Sequence, residues 1–451
     1  MTAPARIAAY HALRAIADDR ADLPSALALS RERLADERDR ALTAEIVTGT
    51  LRWQRSLDHL IAHFARRAPA KLDRDILHIL RLSLYQLLHL DRVPASAVVD
   101  DGVDLARYAR KASATAFVNA VLRAVLRQRP HLPLPPRPES GTDREAALAY
   151  LGITHSHPEW LVARWLDRHG FDATEAWVRF NNDTPRLTLR ANTLRAGRED
   201  LARALADQGI QTEPTPYAPD GLIVTAGNPL RTPTTGSFLV QDEASQLVAL
   251  AVAPRPGERV LDLCASPGGK SVAMAAAMKE TGALVACDVR ARRVALLRET
   301  IRSSGAARVW PVHVAASGDL PFAPVFDRVL VDAPCSGLGT IRRDPDIRWR
   351  RHEADLAVCA RNQLALLRRA ADVLSRGGRL VYATCSSEPD ENEDVVDAFL
   401  AGRQDFAVID LRSDGSPLVA PFLDARGMMH TRPFAHGLEA FFAAALVRRA
   451  R

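Results

Sequence analysis

The stretch VLDLCASPGGKS, running from Val260 to Ser271, decides the fold. Val260 to Leu263 is an apolar strand. It ends in a Gly-rich turn, Cys264-Ala265-Ser266-Pro267-Gly268-Gly269-Lys270, and a helix is predicted over 270–279. On either side the same rhythm continues. Helix is predicted over 243–252, 290–303, 353–375 and 390–401. Strands are predicted in ALVACD (283–288), RVWPVHV (308–314), FDRVLVDAP (326–334) and RLVYATCS (379–386). Strand and helix in alternation imply a doubly wound parallel α/β sheet, Rossmann-like in class. Ligands of such sheets bind beyond the carboxyl ends of the strands. A Gly-rich turn there lets backbone approach a ligand, and the following helix offers free N–H groups.

Two ligand classes compete for this turn. Gly269-Lys270-Ser271 matches the tail of a P-loop, and VLVDAP (329–334) resembles a Walker B strand. The P-loop needs Gly where this chain has Cys264, and Pro267 removes one N–H from the cradle. An adenosine-bearing cofactor fits better, because its ribose needs a carboxylate at the end of the next strand, where Asp288 closes ALVACD. Taken alone, Asp288 reads equally well as a helix N-cap.

Cysteine usage adds a second constellation. Five cysteines stand at 264, 287, 335, 359 and 385; they form no disulfide framework and no CxxC zinc pair. Cys335 follows Asp332-Ala333-Pro334 at one strand end, and Cys385 ends another strand; both lie on the face of the Gly-rich turn. Cys287, within a strand, and Cys359, mid-helix, read as structural. A thiolate that adds to C6 of a pyrimidine makes C5 nucleophilic enough to attack a methyl sulfonium. Lys270 supplies positive charge or pairs with Asp332, which is placed to hydrogen-bond the N3/N4 edge of cytosine. Spacing alone leaves open which cysteine attacks.

Residues 5–129 read as successive amphipathic helices, an all-α bundle. A Pro-rich linker follows, then more helix over 145–180. A small α+β unit comes next, with strands in PRLTLRANT and GLIVTA around a helix at 197–209. The composition, 47% hydrophobic and 25% charged, is globular. Residues 1–130 hold 21 Lys and Arg against 15 Asp and Glu, which accounts for the whole net charge of +6. A basic helical segment suits a polyanion. No stretch approaches the ~20 uninterrupted apolar residues of a membrane span, and the N-terminus lacks a signal-peptide core. Trp53 and Trp310 are expected in the core.

DLCASPGGKS, VLVDAPCSGLGTIRRDPDIRW and VYATCSSEPDENE together resemble the S-adenosylmethionine-dependent RNA 5-methylcytosine methyltransferases over about 235–450. That resemblance implies Cys385 as nucleophile and Cys335 as the residue aiding release. It implies Cys264 to Lys270 as the cofactor loop, Asp288 as the ribose acid and Asp332 as the strand-end acid. EIVTGTLRWQRSLDHLI (45–61), ILRLSLYQLL (79–88), VPASAVVDDGVDLAR (93–107) and FVNAVLR (117–123) resemble a NusB-like RNA-binding domain, and that fusion is found in a branch acting on small-subunit ribosomal RNA. The implied layout is a NusB-like domain over 1–130, a linker over 131–144, helix plus an RRM-like unit over 145–235 and a methyltransferase domain over 236–451. Arg342, Arg343 and Arg348, beside the second motif, are expected to contact RNA phosphates. The implied partner is ribosomal RNA or an assembling subunit, with no metal, in a cytoplasmic monomer. Other RNAs, or a non-catalytic RNA-binding role, are the alternatives. Asp319 stands a few residues later than the family's adenine-side acid.

Overall fold

The computed structural model describes residues 3–139, 141, 143–231, 236–414 and 417–450. Positions 140 and 142 of the expected linker and 232–235 of the small α+β unit lie outside them. The chain divides into two compact units: 1–184 with 341–353, and 185–340 with 354–451.

In the first unit, amphipathic helices bury one face each. Pro4–Ala17, Leu23–Arg33, Glu37–Arg52, Gln54–Ala65, Arg74–His89, Ala95–Tyr108 and Thr115–Arg127 enclose a core of Tyr10, Ile46, Leu57, Ile79, Leu105 and Leu122, among others. Asp73 starts the fifth helix by accepting from the N–H groups of Asp75 and Ile76. The Pro-rich stretch lies against these helices. Leu132 and Leu134 pack on the core, and the carbonyls of Pro133 and Pro135 accept from His59 and Thr154. Helices Arg144–Ala149 and Glu159–Asn182 complete the unit; the latter breaks at Gly170, where φ is +76°.

The second unit opens with a small antiparallel sheet of order β2-β3-β1-β4. Its strands are β1 (Thr188–Ala191), β2 (Gln211–Pro214), β3 (Gly221–Ala226) and β4 (Phe238–Val240), with helix Arg198–Ala206 packed on them. The large sheet contains β5 (Arg259–Asp262), β6 (Ala283–Asp288), β7 (Val309–His313), β8 (Phe326–Asp332), β9 (Leu374–Thr384), β10 (Phe406–Ile409), β11 (Met429–His430) and β12 (Phe442–Arg448). Its order is β10-β12-β9-β8-β5-β6-β7, with β11 paired to β12. β5 to β9 are parallel; β12 runs antiparallel between β9 and β10.

Both faces of this sheet are covered, so its strands are apolar on both sides. Val260, Leu330, Val381 and Ala383 point into one layer, and Leu261, Val329, Val331, Leu380 and Tyr382 into the other. The chain runs outward from β5 through β6 to β7, then returns to β8 on the other side of β5. The switch point of the sheet therefore lies between β5 and β8, and the Gly-rich turn and the Asp332–Gly337 turn both emerge there. Trp310 is a correction to the expected core. It sits on β7, the edge strand paired with β6, with 42% of its surface exposed. Trp53 is half-buried and stacks on His89.

Among the described residues no helix is long and apolar enough to cross a membrane. Nor does any group of three or more His, Cys, Asp or Glu there suit a metal ion.

Candidate active site

Beyond the ends of β5 and β8 lies a cavity of about 260 Å3. Of the expected cofactor residues it is lined by Cys264, Ala265, Ser266, Pro267, Gly269, Lys270 and Asp332; Gly268 and Asp288 are not part of its wall. Asp262, Gln241, Ser245 and Phe441 also line it. The turn is tightly held. Ala265 N–H donates to the Cys287 carbonyl at 2.8 Å. Gly268 adopts φ +111°, and a Cβ there would approach Leu297 to 2.9 Å, so only glycine suits the position. Arg190, reaching from β1, donates to the Gly269 carbonyl at 2.6 Å and to Gln241 Oε1 at 2.5 Å.

Charge in the cavity is predominantly negative. Lys270 Nζ donates to Asp332 Oδ2 at 2.6 Å. Burial works against the Lys270 charge, but Asp332 overrides it and the ammonium is held above its usual range. Asp262 is fully buried at the end of β5; Ser271 Oγ donates to its Oδ2 at 2.7 Å, and its Oδ1 has no hydrogen-bond partner among the described residues. Burial pushes its pKa up to about 7. Asp288 is also buried; its Oδ1 accepts from Arg290 N–H at 3.0 Å and its Oδ2 lies 3.3 Å from Arg293 Nε. Asp288 thus braces the turn into helix Ala291–Ser304 without capping it, because Arg290 occupies the N-cap position, and it stands at the end of the strand beside the Gly-rich turn. Burial, with Asp262, Asp332 and Asp288 adding to it, keeps the Cys264 thiol protonated.

The two strand-end cysteines meet. Parallel pairing sets Asp332 opposite Ala383 and aligns the turns after β8 and β9. Cys335 Sγ lies 3.2 Å from Cys385 Sγ, and both residues are half-buried. The contact with Cys385, then burial, then the charge of Glu391 push the Cys335 thiol well above the usual range. A proton is therefore retained on Cys335. By contrast Cys287 is sealed inside β6, its thiol pushed up to about 12 by burial, and Cys359 lies within helix Glu353–Asp372.

Several members of this site escaped sequence reasoning. Glu391, buried completely, receives Ser336 N–H, Ser336 Oγ, Ser386 Oγ and Gln363 Nε2. Asp262, Ser271, Gln241 and Phe441 were also unmarked. The legible signal for two of them was position: Asp262 lies two residues before Cys264, and Glu391 lies six after Cys385.

The arginine segment behaves differently from the expectation. Ile341–Glu353 belongs to the first, helical unit. Arg348 is 1% exposed and donates to the carbonyls of Arg52 (3.0 Å), Ser156 (2.9 Å) and Asn181 (2.7 Å) and to Asn182 Oδ1 (2.9 Å). This corrects its assignment as a phosphate contact: the side chain is buried and both of its Nη groups are spent on helix ends. Arg342 lies over the Phe180 ring, 4.2 Å from its centroid, and donates to the Thr184 carbonyl; it and Arg343 are half-buried. Asp319 is exposed.

Residues 249–447 match the family described as 16S rRNA methyltransferase RsmB/F, residues 3–127 the NusB family, and residues 157–231 the ferredoxin-like domain of RsmF/B-like methyltransferases. A probable ribosomal RNA small subunit methyltransferase B of Bacillus subtilis is 35% identical, covering 92% of this chain and 91% of its own. The ribosomal RNA small subunit methyltransferase B of Pseudomonas putida is 35% identical, covering 91% and 92%. The crystal structure of the protein PH0851 superposes with a TM-score of 0.80 at 27% identity, covering 99% of each chain.

Proposed function

This chain belongs to the RsmB/F family of S-adenosylmethionine-dependent RNA methyltransferases; from that premise we propose that it methylates C5 of a cytidine in 16S ribosomal RNA, through a covalent bond between Cys385 and C6. The observation that carries the reading is the pair of thiols 3.2 Å apart at the carboxyl ends of β8 and β9, on the sheet edge that holds the Lys270–Asp332 ion pair.

The residues present fit the cofactor. S-adenosylmethionine supplies an electrophilic methyl on a sulfonium, and its methionine end carries an ammonium. A cavity with three acidic residues in its wall, Asp242, Asp262 and Asp332, against one lysine favours such a cation-bearing ligand. The unpartnered Oδ1 of Asp262 is a buried acceptor awaiting a donor. The turn from Cys264 to Lys270 would hold the cofactor, with Asp288 toward the ribose hydroxyls.

Cys385, as thiolate, adds to C6, and the electron pair of the C5–C6 double bond moves onto C5, which then takes the methyl. Asp332, oriented by Lys270, holds the N3/N4 edge of the base. Before attack the Cys335 thiol donates its hydrogen bond to the Cys385 thiolate; after methyl transfer Cys335, its own proton released to solvent, takes the C5 proton as a thiolate, the C5–C6 double bond re-forms, and Cys385 leaves as thiolate. Chemistry at a base edge needs an unstacked nucleotide, so the target is single-stranded or opened. Half-buried Arg342 and Arg343 are the proposed phosphate contacts in this segment.

The test is labelled methyl transfer to unmethylated small-subunit RNA, followed by mapping of the base. Cys385→Ala abolishes transfer, whereas Cys335→Ala accumulates a covalent protein–RNA adduct. An adduct in Cys385→Ala instead reverses the two roles. Transfer to tRNA or large-subunit RNA alone would replace the substrate, and absence of S-adenosylmethionine binding would leave only an RNA-binding function.

A further inference from the structure

We propose that Glu391 is a positioning residue that fastens the two cysteine-bearing turns together and so sets the distance between Cys335 and Cys385. The inference rests on the reading that these two thiols carry the chemistry. Its geometry does not.

Glu391 sits at the centre of three elements. From the turn after β8 it receives Ser336 N–H at 2.8 Å and the Ser336 hydroxyl. From the turn after β9 it receives the Ser386 hydroxyl at 2.5 Å, and from helix Glu353–Asp372 the Gln363 side-chain N–H at 3.0 Å. Ser336 directly follows Cys335 and Ser386 directly follows Cys385, so each turn is gripped one residue from its thiol. A carboxylate has about four lone-pair sites, and here four donors occupy them. That full complement lets a completely buried carboxylate stay in place, since an unpaired one would be costly. Glu391 is itself anchored, because Tyr382 Oη donates to its backbone carbonyl at 2.5 Å.

The turns are also held without Glu391. Gly339 N–H donates to the Cys385 carbonyl at 2.9 Å, and Asn392 Nδ2 to the Ser386 carbonyl at 3.1 Å. Removing the clamp is therefore expected to loosen the thiol pair rather than to melt the sheet. Glutamine is a partial substitute. Its amide oxygen still accepts, and its N–H groups can donate to the Ser336 and Ser386 hydroxyls, which accept as well as donate.

The experiment measures thiol proximity in the full chain by diamide oxidation, following the Cys335–Cys385 disulfide by peptide mass spectrometry. S-adenosylmethionine affinity, by calorimetry, reports whether the fold of each variant survives. In wild type the disulfide forms readily. In Glu391→Ala its rate falls on the order of 100-fold, the scale on which a displacement of about 1 Å acts on reacting groups. Methyl transfer loses kcat by a similar factor while KM for S-adenosylmethionine holds. Glu391→Gln recovers most of both. If Glu391→Ala fails to fold, Ser336→Ala combined with Ser386→Ala removes the clamp from the other side and is expected to slow the disulfide likewise.

Wild-type crosslinking rates in a folded Glu391→Ala or double-serine variant would overturn the proposal. So would a wild type that does not crosslink. Because crosslinking needs no RNA, loss of the disulfide in a protein that never methylates cytidine would leave the clamp standing and sink the methyl-transfer reading alone.

Discussion

Replacing Arg348 with methionine separates two roles for one side chain. Four acceptors lose their donor: the carbonyls of Arg52, Ser156 and Asn181, and Asn182 Oδ1. Hydrogen bonds to a charged group contribute about 1.5–3 kcal/mol each, a gross loss of roughly 6–12 kcal/mol. Against this stands the relief of a costly burial. Arg348 makes no ion pair with a carboxylate among the described residues, and burial drives its pKa well below the usual arginine value. The penalty for such an ion is several kcal/mol. The difference is a net destabilisation of about 3–5 kcal/mol. For a unit of this size each kcal/mol lowers Tm by about 2–4 °C, so the helical unit should melt about 10 °C earlier. Calorimetry on the full chain reads the shift directly, and filter binding to a small-subunit RNA transcript over a range of salt reads the alternative. A phosphate contact would leave Tm unchanged and reduce the salt slope by about 1. A variant melting within about 1 °C of wild type, with a shallower salt slope, would refute the anchoring role.

Two more outcomes follow from the cavity. Asp262 keeps its proton in the folded state up to about pH 7, whereas in the unfolded chain it loses it near 3.8. The folded state thus binds more protons in between, and stability falls as pH rises from about 4 to about 7, by on the order of 4 kcal/mol at most. Urea midpoints should show that slope in wild type and lose it in Asp262→Asn; identical profiles for the two proteins would disprove it. Lys270→Met strands the half-buried Asp332. A double-mutant cycle with Asp332→Asn should return a coupling of about 1–3 kcal/mol, and strictly additive losses would mean the ion pair contributes nothing. With the Lys270 pKa raised in the folded state, that coupling is complete below the ordinary lysine range and disappears only as pH climbs through the raised value.

Local signals were legible wherever the pattern was strong and short in range. Helix 243–252 and strand 283–288 have the boundaries their periodicity implies, and Glu353–Asp372 ends three residues before the expected 375. The Gly-rich turn was legible because a Pro-Gly-Gly run between an apolar strand and a small-residue helix admits few conformations. The C-terminal strand β12 comes last in the chain. Its place between β9 and β10 was not legible, because antiparallel insertion is a pairing between distant segments. The N-terminal helices carried no mark of the segment 341–353 that packs among them. An arginine-rich stretch beside a catalytic motif looks like a phosphate grip until its acceptors are known. Arg348 finds its own at residues 52, 156, 181 and 182, and no spacing rule reaches that far.

By itself, then, the sequence determined the class of sheet, the edge on which the candidate site lies and the residue types offered there. These depend on periodicity, turn chemistry and the rule that ligands gather at strand ends. Only the tertiary structure decided which of those residues touch. It brought Cys335 to 3.2 Å from Cys385 across fifty positions, closed Lys270 onto Asp332, and spent Glu391 on joining two turns. The physical reason is that strand register and burial set such distances, and both are properties of how remote segments pack rather than of any one segment's own preference.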